Sequence, residues 1–168
     1  MNKTELRSTY RDNGAIGALL DEYEKSIKEL KLIIQHISDK DLIYVVDNET
    51  EDKDCKSIQT ILSHVIGSGY TYAIEVRKWL GEDMDYKEVE LLNSIAEYNL
   101  ALDKMFAFNE MLFNDYPKIK LEEFDSNKKF VVRWGQRYDV EQIFEHAIVH
   151  ILRHRRQIER FKKRIEIM

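Results

Sequence analysis

Residues that break helices are scarce in this chain, which has one proline and six glycines among 168 residues. β-Sandwiches and flexible linkers need many turn residues, so this scarcity leaves long helices as the natural fold. Hydrophobic residues make up 43% of the sequence and charged residues 34%, which is typical of a globular domain. We therefore expect a single all-α domain over residues 1–168.

Apolar residues recur every three or four positions along four stretches, which predicts four amphipathic helices. They run from Ala15 to near Ser38, from an N-cap at Asp54 or Ser57 to Gly81, from Glu88 to Asn114, and from an N-cap at Asp139 to about Arg164. Such helices of roughly 25 residues, about 35 to 40 Å long, describe a four-helix bundle. The bundle would cover about residues 15–165, after a loose N-terminal arm at 1–14.

Two local features interrupt this pattern. The stretch 118–137 has no helical periodicity, and its segment 129–135 is typical of a short strand or an extended loop. Within the second helix, Gly67 and Gly69 would each cost about 1 kcal/mol relative to alanine. We expect these two glycines to allow the close approach of a neighbour or a ligand, or to mark a kink.

Charge and cysteine content exclude several classes of function. The formal net charge is −5, so no strongly basic domain is available for duplex nucleic acid. The single cysteine, Cys55, excludes an internal disulfide framework and a cysteine-rich metal site, so histidine and carboxylate would have to hold any metal. No apolar stretch indicates a signal peptide or a membrane span, so we expect a cytoplasmic protein without a membrane partner.

A basic cluster near the end of the last helix is the strongest local charge. It comprises Arg153, Arg155, Arg156, Arg160, Lys162, Lys163 and Arg164. Positive side chains there complement the negative end of the helix dipole, and contact with phosphate or nucleic acid is the weaker alternative.

The histidines give the clearest chemical signal. His146, His150 and His154 are spaced by four residues, so their imidazoles share one face of the last helix. Two imidazoles at this spacing chelate a divalent ion, but a catalytic site needs a third protein donor and an open position. His64, beside the apolar stripe of the second helix, is the leading candidate for that donor.

The other two histidines and the cysteine are better interpreted as structural or surface residues than as metal ligands. Three consecutive ligands on one straight helix cannot easily close around an ion, so His146 is interpreted as a core or boundary residue. His36 lies off the apolar stripe of its helix and is expected at the surface. Cys55 has no second thiol to work with and is interpreted as structural or incidental.

Two segments carry a resemblance to a known family. Residues 144–158, FEHAIVHILRHRRQI, resemble the last-helix signature of the DinB/YfiT-like superfamily, an apolar run with His-x-x-x-His followed by Arg-Gly-Gln-Ile. Residues 57–65, SIQTILSHV, resemble its second-helix motif, Ser-Ile-x-x-x-Leu-x-His-hydrophobic. The two motifs lie in the expected order, so the resemblance covers nearly the whole chain. The sequence departs from the motif at Arg156, where the family often has glycine.

The resemblance implies an up-down-down-up four-helix bundle, commonly a homodimer, with a divalent metal held by three histidines. Here these ligands map onto His64, His150 and His154. Characterised relatives include transferases that use bacillithiol or mycothiol and a mycothiol-dependent maleylpyruvate isomerase. A low-molecular-weight thiol and an unidentified small-molecule substrate are therefore the implied partners. Imidazole ligands suit several first-row ions, so Zn, Ni, Fe and Mn stay open.

Two classes of function follow. The first is a metal-dependent thiol transferase or hydrolase in which the metal activates a thiol or water, with Gln157 as an orienting group and Tyr70 and Tyr72 as weaker candidates. The second is a non-catalytic stress-response or binding module with a structural or vestigial metal site.

Overall fold

Helices dominate the computed structural model, which describes residues 10–167 of the chain. The helices within this range are α1 (Gly14–Ile34), α2 (Asp39–Ile43), α3 (Ile58–Trp79), α4 (Ile95–Asp115) and α5 (Val140–Ile167). A 3-10 turn at Lys53–Cys55 precedes α3. The prediction of an all-α protein is confirmed. Most of the predicted N-terminal arm, residues 1–9, lies outside the described residues.

Short polar motifs fix where α3 and α5 begin. The Thr60 amide donates to Ser57 Oγ at 3.1 Å, and the Ser57 amide donates to Thr60 Oγ1 at 3.1 Å. This reciprocal capping box makes Ser57, and not Asp54, the cap of α3. At α5 the Gln142 amide donates to Asp139 Oδ1 at 2.9 Å, while Gln142 Oε1 accepts from the Asp139 amide at 3.3 Å. The predicted cap at Asp139 is confirmed.

Two predicted boundaries were wrong. The first long helix ends at Ile34 instead of near Ser38, because Ser38 caps the separate short helix α2. The third predicted helix begins at Ile95 instead of Glu88. Its cap is Ser94, and residues 82–92 form neither helix nor strand.

Side chains from α3 and α4 hold the segment before α4 in its extended form. Gln59 Nε2 donates to the Leu92 carbonyl at 2.9 Å, and Ser63 Oγ donates to the Glu90 carbonyl at 3.3 Å. The Leu92 amide donates to the Tyr98 hydroxyl at 3.1 Å. These bonds satisfy backbone groups that a helix would otherwise satisfy.

Close contact with α4 accounts for a glycine in α3. A Cβ atom at Gly69 would come within 2.8 Å of Met105 Cγ, and Asn109 Nδ2 donates to the Gly69 carbonyl at 3.0 Å. At Gly67 a Cβ atom would lie 3.3 Å from Val89 Cγ2. The predicted approach of a neighbour is confirmed at Gly69, and the predicted stop at Gly81 is confirmed by its φ of 96°.

The four long helices pack pairwise around one apolar core. α5 lies against α1 and α3, and α4 lies against α3 and α1. Tyr23, Tyr98 and Phe144 are among the large side chains at the centre of this core. The contact between α3 and α5 positions the site, because the candidate ligands come from these two helices. Among residues 10–167, no helix combines the length and the apolarity needed to cross a bilayer.

A small hairpin packs beside α5 and contributes Phe130 to the core. Its strands are β1 (Phe130–Val131) and β2 (Arg137–Tyr138), which pair antiparallel with Phe130 opposite Tyr138. Gly135, with φ of 89°, makes the turn between them. The segment 129–135, predicted as strand or loop, therefore contains both a strand and a turn.

Candidate metal centre

Three imidazoles from two helices meet where α3 packs against α5. His64 Nε2 lies 3.0 Å from His150 Nε2, and His154 Nε2 lies 3.2 Å from His150 Nε2. The three potential ligand nitrogens all lie within 4.8 Å of one another. The structure thus brings together the three predicted ligands, called the histidine triad below (His64, His150 and His154).

The separations between these nitrogens suit a first-row cation. Bonds of 2.0–2.1 Å from imidazole nitrogen to a tetrahedral metal place neighbouring nitrogens roughly 3.3 Å apart. The two Nε2–Nε2 distances to His150 are 3.0 and 3.2 Å, so small side-chain adjustments would admit an ion. The donor set and its spacing therefore fit a divalent transition metal.

Hydrogen bonds on the far side of two rings fix their tautomers. His64 Nδ1 lies 3.1 Å from Asp54 Oδ2, and His154 Nδ1 lies 3.0 Å from Gln157 Oε1. An ionised carboxylate and an amide oxygen only accept hydrogen bonds, so both Nδ1 atoms carry the proton. The Nε2 lone pairs of both rings are then free for a metal, which is the usual role of such outer partners.

Burial keeps two of the three ligands neutral. His150 is 6% exposed and His154 is 4% exposed. Burial, reinforced by electrostatic repulsion from the neighbouring imidazoles and Arg153, lowers the pKa of His150 to about 2. Burial, with repulsion from His64, lowers the pKa of His154 to about 4. Near neutral pH both rings therefore offer lone pairs instead of charges that would repel a cation.

His146 lies next to the triad but is engaged elsewhere. Its ring stacks on His150 with the centroids 6.2 Å apart, and its Nδ1 lies 3.2 Å from the Tyr138 hydroxyl. The hairpin also supplies Trp134, whose ring centroid is 6.4 Å from that of His146. Within the described part of the chain, the cluster able to hold a metal does not include His146. The side chain of His146 is half-buried, as expected of a boundary residue.

The three candidate orienting groups differ in their contacts with the triad. Gln157 lies at the site, where it contacts His154 and accepts from Cys55 Sγ at 3.8 Å. Tyr72 is buried with its ring 5.9 Å from that of His150, whereas the Tyr70 ring packs on Phe108 with the centroids 5.3 Å apart.

Sequence reasoning considered Asp54 only as a helix cap and missed its contact with His64. No periodicity relates these two positions, because the 3-10 turn that carries Asp54 lies outside the helix. His36 is exposed, as predicted.

Two clefts border the triad, and His64 lines both of them. The smaller cleft, about 330 Å³, is lined by Asp54, Thr60, Ser63, His64, Gly67, Ser68, Thr71, Lys87, Val89 and Leu91. The larger cleft, about 990 Å³, is lined by Asp52, Cys55, His64, Val149, Leu152, Arg153, His154, Arg156, Gln157 and Arg160. A small molecule can therefore approach the site from solvent.

Comparison with known proteins found no relative. No protein-family model, no curated protein and no solved structure matches the chain. The likeness to the DinB/YfiT-like superfamily therefore depends on the two sequence motifs and stays a prediction.

Proposed function

We propose that this protein binds a divalent transition metal through the histidine triad and acts as a metal-dependent thiol transferase or hydrolase. The observation that carries the proposal is the convergence of three Nε2 atoms, two of them on rings whose Nδ1 proton is fixed by Asp54 or Gln157. Neutral imidazoles suit Zn, Ni or Fe, and Mn stays open as a fourth ion. The bound cation would supply Lewis acidity, which lowers the pKa of a thiol or water that reaches it.

The chain's own residues perform the other tasks. Asp54 and Gln157 orient two of the ligand rings, which reduces the cost of assembling the site around an ion. The near-complete burial of His150 and His154 excludes water from the inner side of the triad. The side chain of His64 is 29% exposed and borders both clefts, so a substrate would approach from its side.

We also propose that the four long helices form an up-down-down-up bundle of the DinB-like kind. Two observations support this arrangement: the order of the two motifs, and the packing of α1 and α3 each against both α4 and α5. The resemblance further implies a homodimer, which light scattering on a sizing column would test.

Elemental analysis of protein prepared without a tag tests the metal assignment, because a nickel column could load the triad artificially. We expect about one metal ion per chain, and near-complete loss of metal in H150A with unchanged helical circular dichroism. A matched control is H36A, which removes an exposed histidine outside the site. Unchanged metal content in H150A would remove His150 from the site.

A thiol-conjugation assay with a panel of electrophiles, run beside an esterase and amidase panel, tests the reaction. We expect turnover that requires the metal and disappears in H150A. A specific observation favours the alternative of a non-catalytic module with a structural metal: two of the three ligands are almost completely buried. Stoichiometric metal without turnover on either panel, together with loss of stability on metal removal, would support that alternative.

A further inference from the structure

Three arginines of α5 face the larger cleft beside the triad. Arg153, Arg156 and Arg160 are spaced by three and four residues, so they lie on one side of the helix. All three are exposed, and none of them forms an ion pair within residues 10–167. By contrast, Arg155, on another side of α5, pairs with Glu29. The cleft thus collects three basic side chains that have no ion-pair partner within the described part of the chain.

The larger cleft is positive although the chain as a whole is negative. Its only acidic lining residue is Asp52, whose carboxylate already accepts from the Asp54 amide at 3.0 Å. The formal net charge of the whole chain is −5, so the positive charge of this cleft is a local feature and does not follow from the overall charge. A cation held by three neutral imidazoles would add to this field. A concave site lined by one sign of charge concentrates ligands of the opposite sign.

The arginines also extend away from the triad along α5. Arg156 is two residues beyond His154, and Arg160 is six residues beyond it, which corresponds to about 9 Å along the helix axis. Leu152 and Val149, the latter 61% exposed, add apolar surface to the cleft at the level of the triad. This layout suits a molecule with a reactive group at one end and an anionic group at the other.

We infer that the substrate of the metal site is a small molecule whose carboxylate or phosphate group is bound by Arg156 and Arg160. This inference rests on the proposed function, because the reactive end of the molecule lies at the triad. Guanidinium groups recognise both anions through paired N–H donors. Arg156 stands where the motif of the resembling family often has glycine, so this contact is a feature of the present chain.

Hydroxamates provide a test that does not need turnover, because a hydroxamate binds a metal directly. We would load the protein with zinc and titrate ω-carboxyalkyl hydroxamates of increasing chain length, each beside its uncharged methyl ester. Isothermal titration calorimetry should show the acid binding about tenfold more tightly than the ester at the best length. The ratio should shrink between about 0.01 M and about 1 M NaCl, because salt screens the exposed arginines.

A double variant tests the assignment of residues. R156Q/R160Q should reduce the acid-to-ester ratio to near one while zinc content and the ester affinity stay unchanged. The matched control K163Q/R164Q removes the same charge from exposed positions of the same helix outside the cleft, and it should keep the ratio. If the double variant loses helical circular dichroism, the single variants R156Q and R160Q replace it, and each should reduce the acid-to-ester affinity ratio. A phosphonate series beside the carboxylate series identifies which anion is preferred.

The outcomes are distinguishable. Failure of zinc to bind would overturn the proposed function and this inference with it. Zinc binding with equal affinity for acid and ester would overturn this inference alone. This inference would also be overturned if the protein bound a duplex oligonucleotide and both double variants weakened that binding equally. Such a result would show that the whole basic cluster contacts nucleic acid.

Discussion

The Nδ1 atom of His64 lies 3.1 Å from Oδ2 of Asp54, ten residues earlier in the chain. The carboxylate comes from the 3-10 turn before α3, while the imidazole projects from α3 itself. This contact gives His64 the tautomer that a metal ligand needs, with a proton on Nδ1 and a lone pair on Nε2. It therefore links the local conformation of a short turn to the chemistry of the candidate metal centre.

We predict that D54A weakens zinc binding about 10-fold to 100-fold, the usual effect of losing an outer partner of a ligating histidine. D54N should weaken it less, because the amide oxygen still accepts from Nδ1. Competition with a chromophoric chelator measures the affinity. The matched control is E51Q, which removes a nearby exposed charge. Affinities of D54A and E51Q that both equal the wild-type value would show that Asp54 does not support the ligand.

The contact between Gln157 and His154 predicts a second effect. Q157L removes the acceptor for Nδ1, so the ring can place its proton on Nε2 and we expect zinc affinity to fall about tenfold. Q157E keeps an acceptor at the same place and should bind zinc at least as tightly as wild type. The same chelator competition measures both. If Q157L and Q157E lose affinity equally, the acceptor is not the reason for the loss.

Metal-free protein should lose stability in acid because of its two buried ligands. Burial lowers the pKa of His150 to about 2 and that of His154 to about 4, whereas a histidine in an unfolded chain has a pKa of about 6.5. Below that value the unfolded state binds protons that the folded state does not, so stability is greatest above about pH 6.5 and falls as the pH is lowered.

The slope of this loss can be measured. Each of the two histidines should contribute up to about 1.4 kcal/mol per pH unit to the fall in the free energy of unfolding between about pH 6 and about pH 4.5. Urea unfolding in the presence of a chelator gives this free energy at each pH. H154Q should remove the contribution of one histidine to the slope of the free energy of unfolding against pH, whatever its effect on stability at neutral pH. An unchanged slope in H154Q would contradict the assignment.

The sequence predicted those parts of the fold that short motifs and periodicity determine. The starts of α3 and α5 follow from capping residues, and the end of α3 follows from Gly81. The start of α4 did not follow, because the helical pattern continues back to Glu88. Bonds from Gln59 and Ser63 hold that segment in an extended form, and only tertiary structure supplies them.

The same division applies to the candidate site. The spacing of four placed His146, His150 and His154 on one face, the resembling motif indicated His150 and His154 among them, and His64 was a candidate from its place beside an apolar stripe. Asp54 could not be connected with His64, because their contact depends on how a turn folds back beside a helix. The cleft with Arg156 and Arg160 likewise depends on the packing of α5 against α3 and the preceding turn. From sequence, this basic cluster was interpreted first as complementing the helix dipole, with contact to phosphate or nucleic acid as the weaker alternative.

The two glycines of α3 provide a test of the packing that positions His64. G69A would bring a Cβ atom within 2.8 Å of Met105 Cγ in the buried contact with α4, and we expect it to cost about 1–3 kcal/mol of stability through overpacking. G67A places its Cβ 3.3 Å from Cγ2 of the half-buried Val89, which lies in the connection before α4, where a small shift suffices. The helix propensity of alanine, about 1 kcal/mol better than glycine, should then leave G67A near or above wild-type stability. Urea unfolding of the two variants measures the difference, and equal stabilities would show that α4 does not approach Gly69 as closely as described.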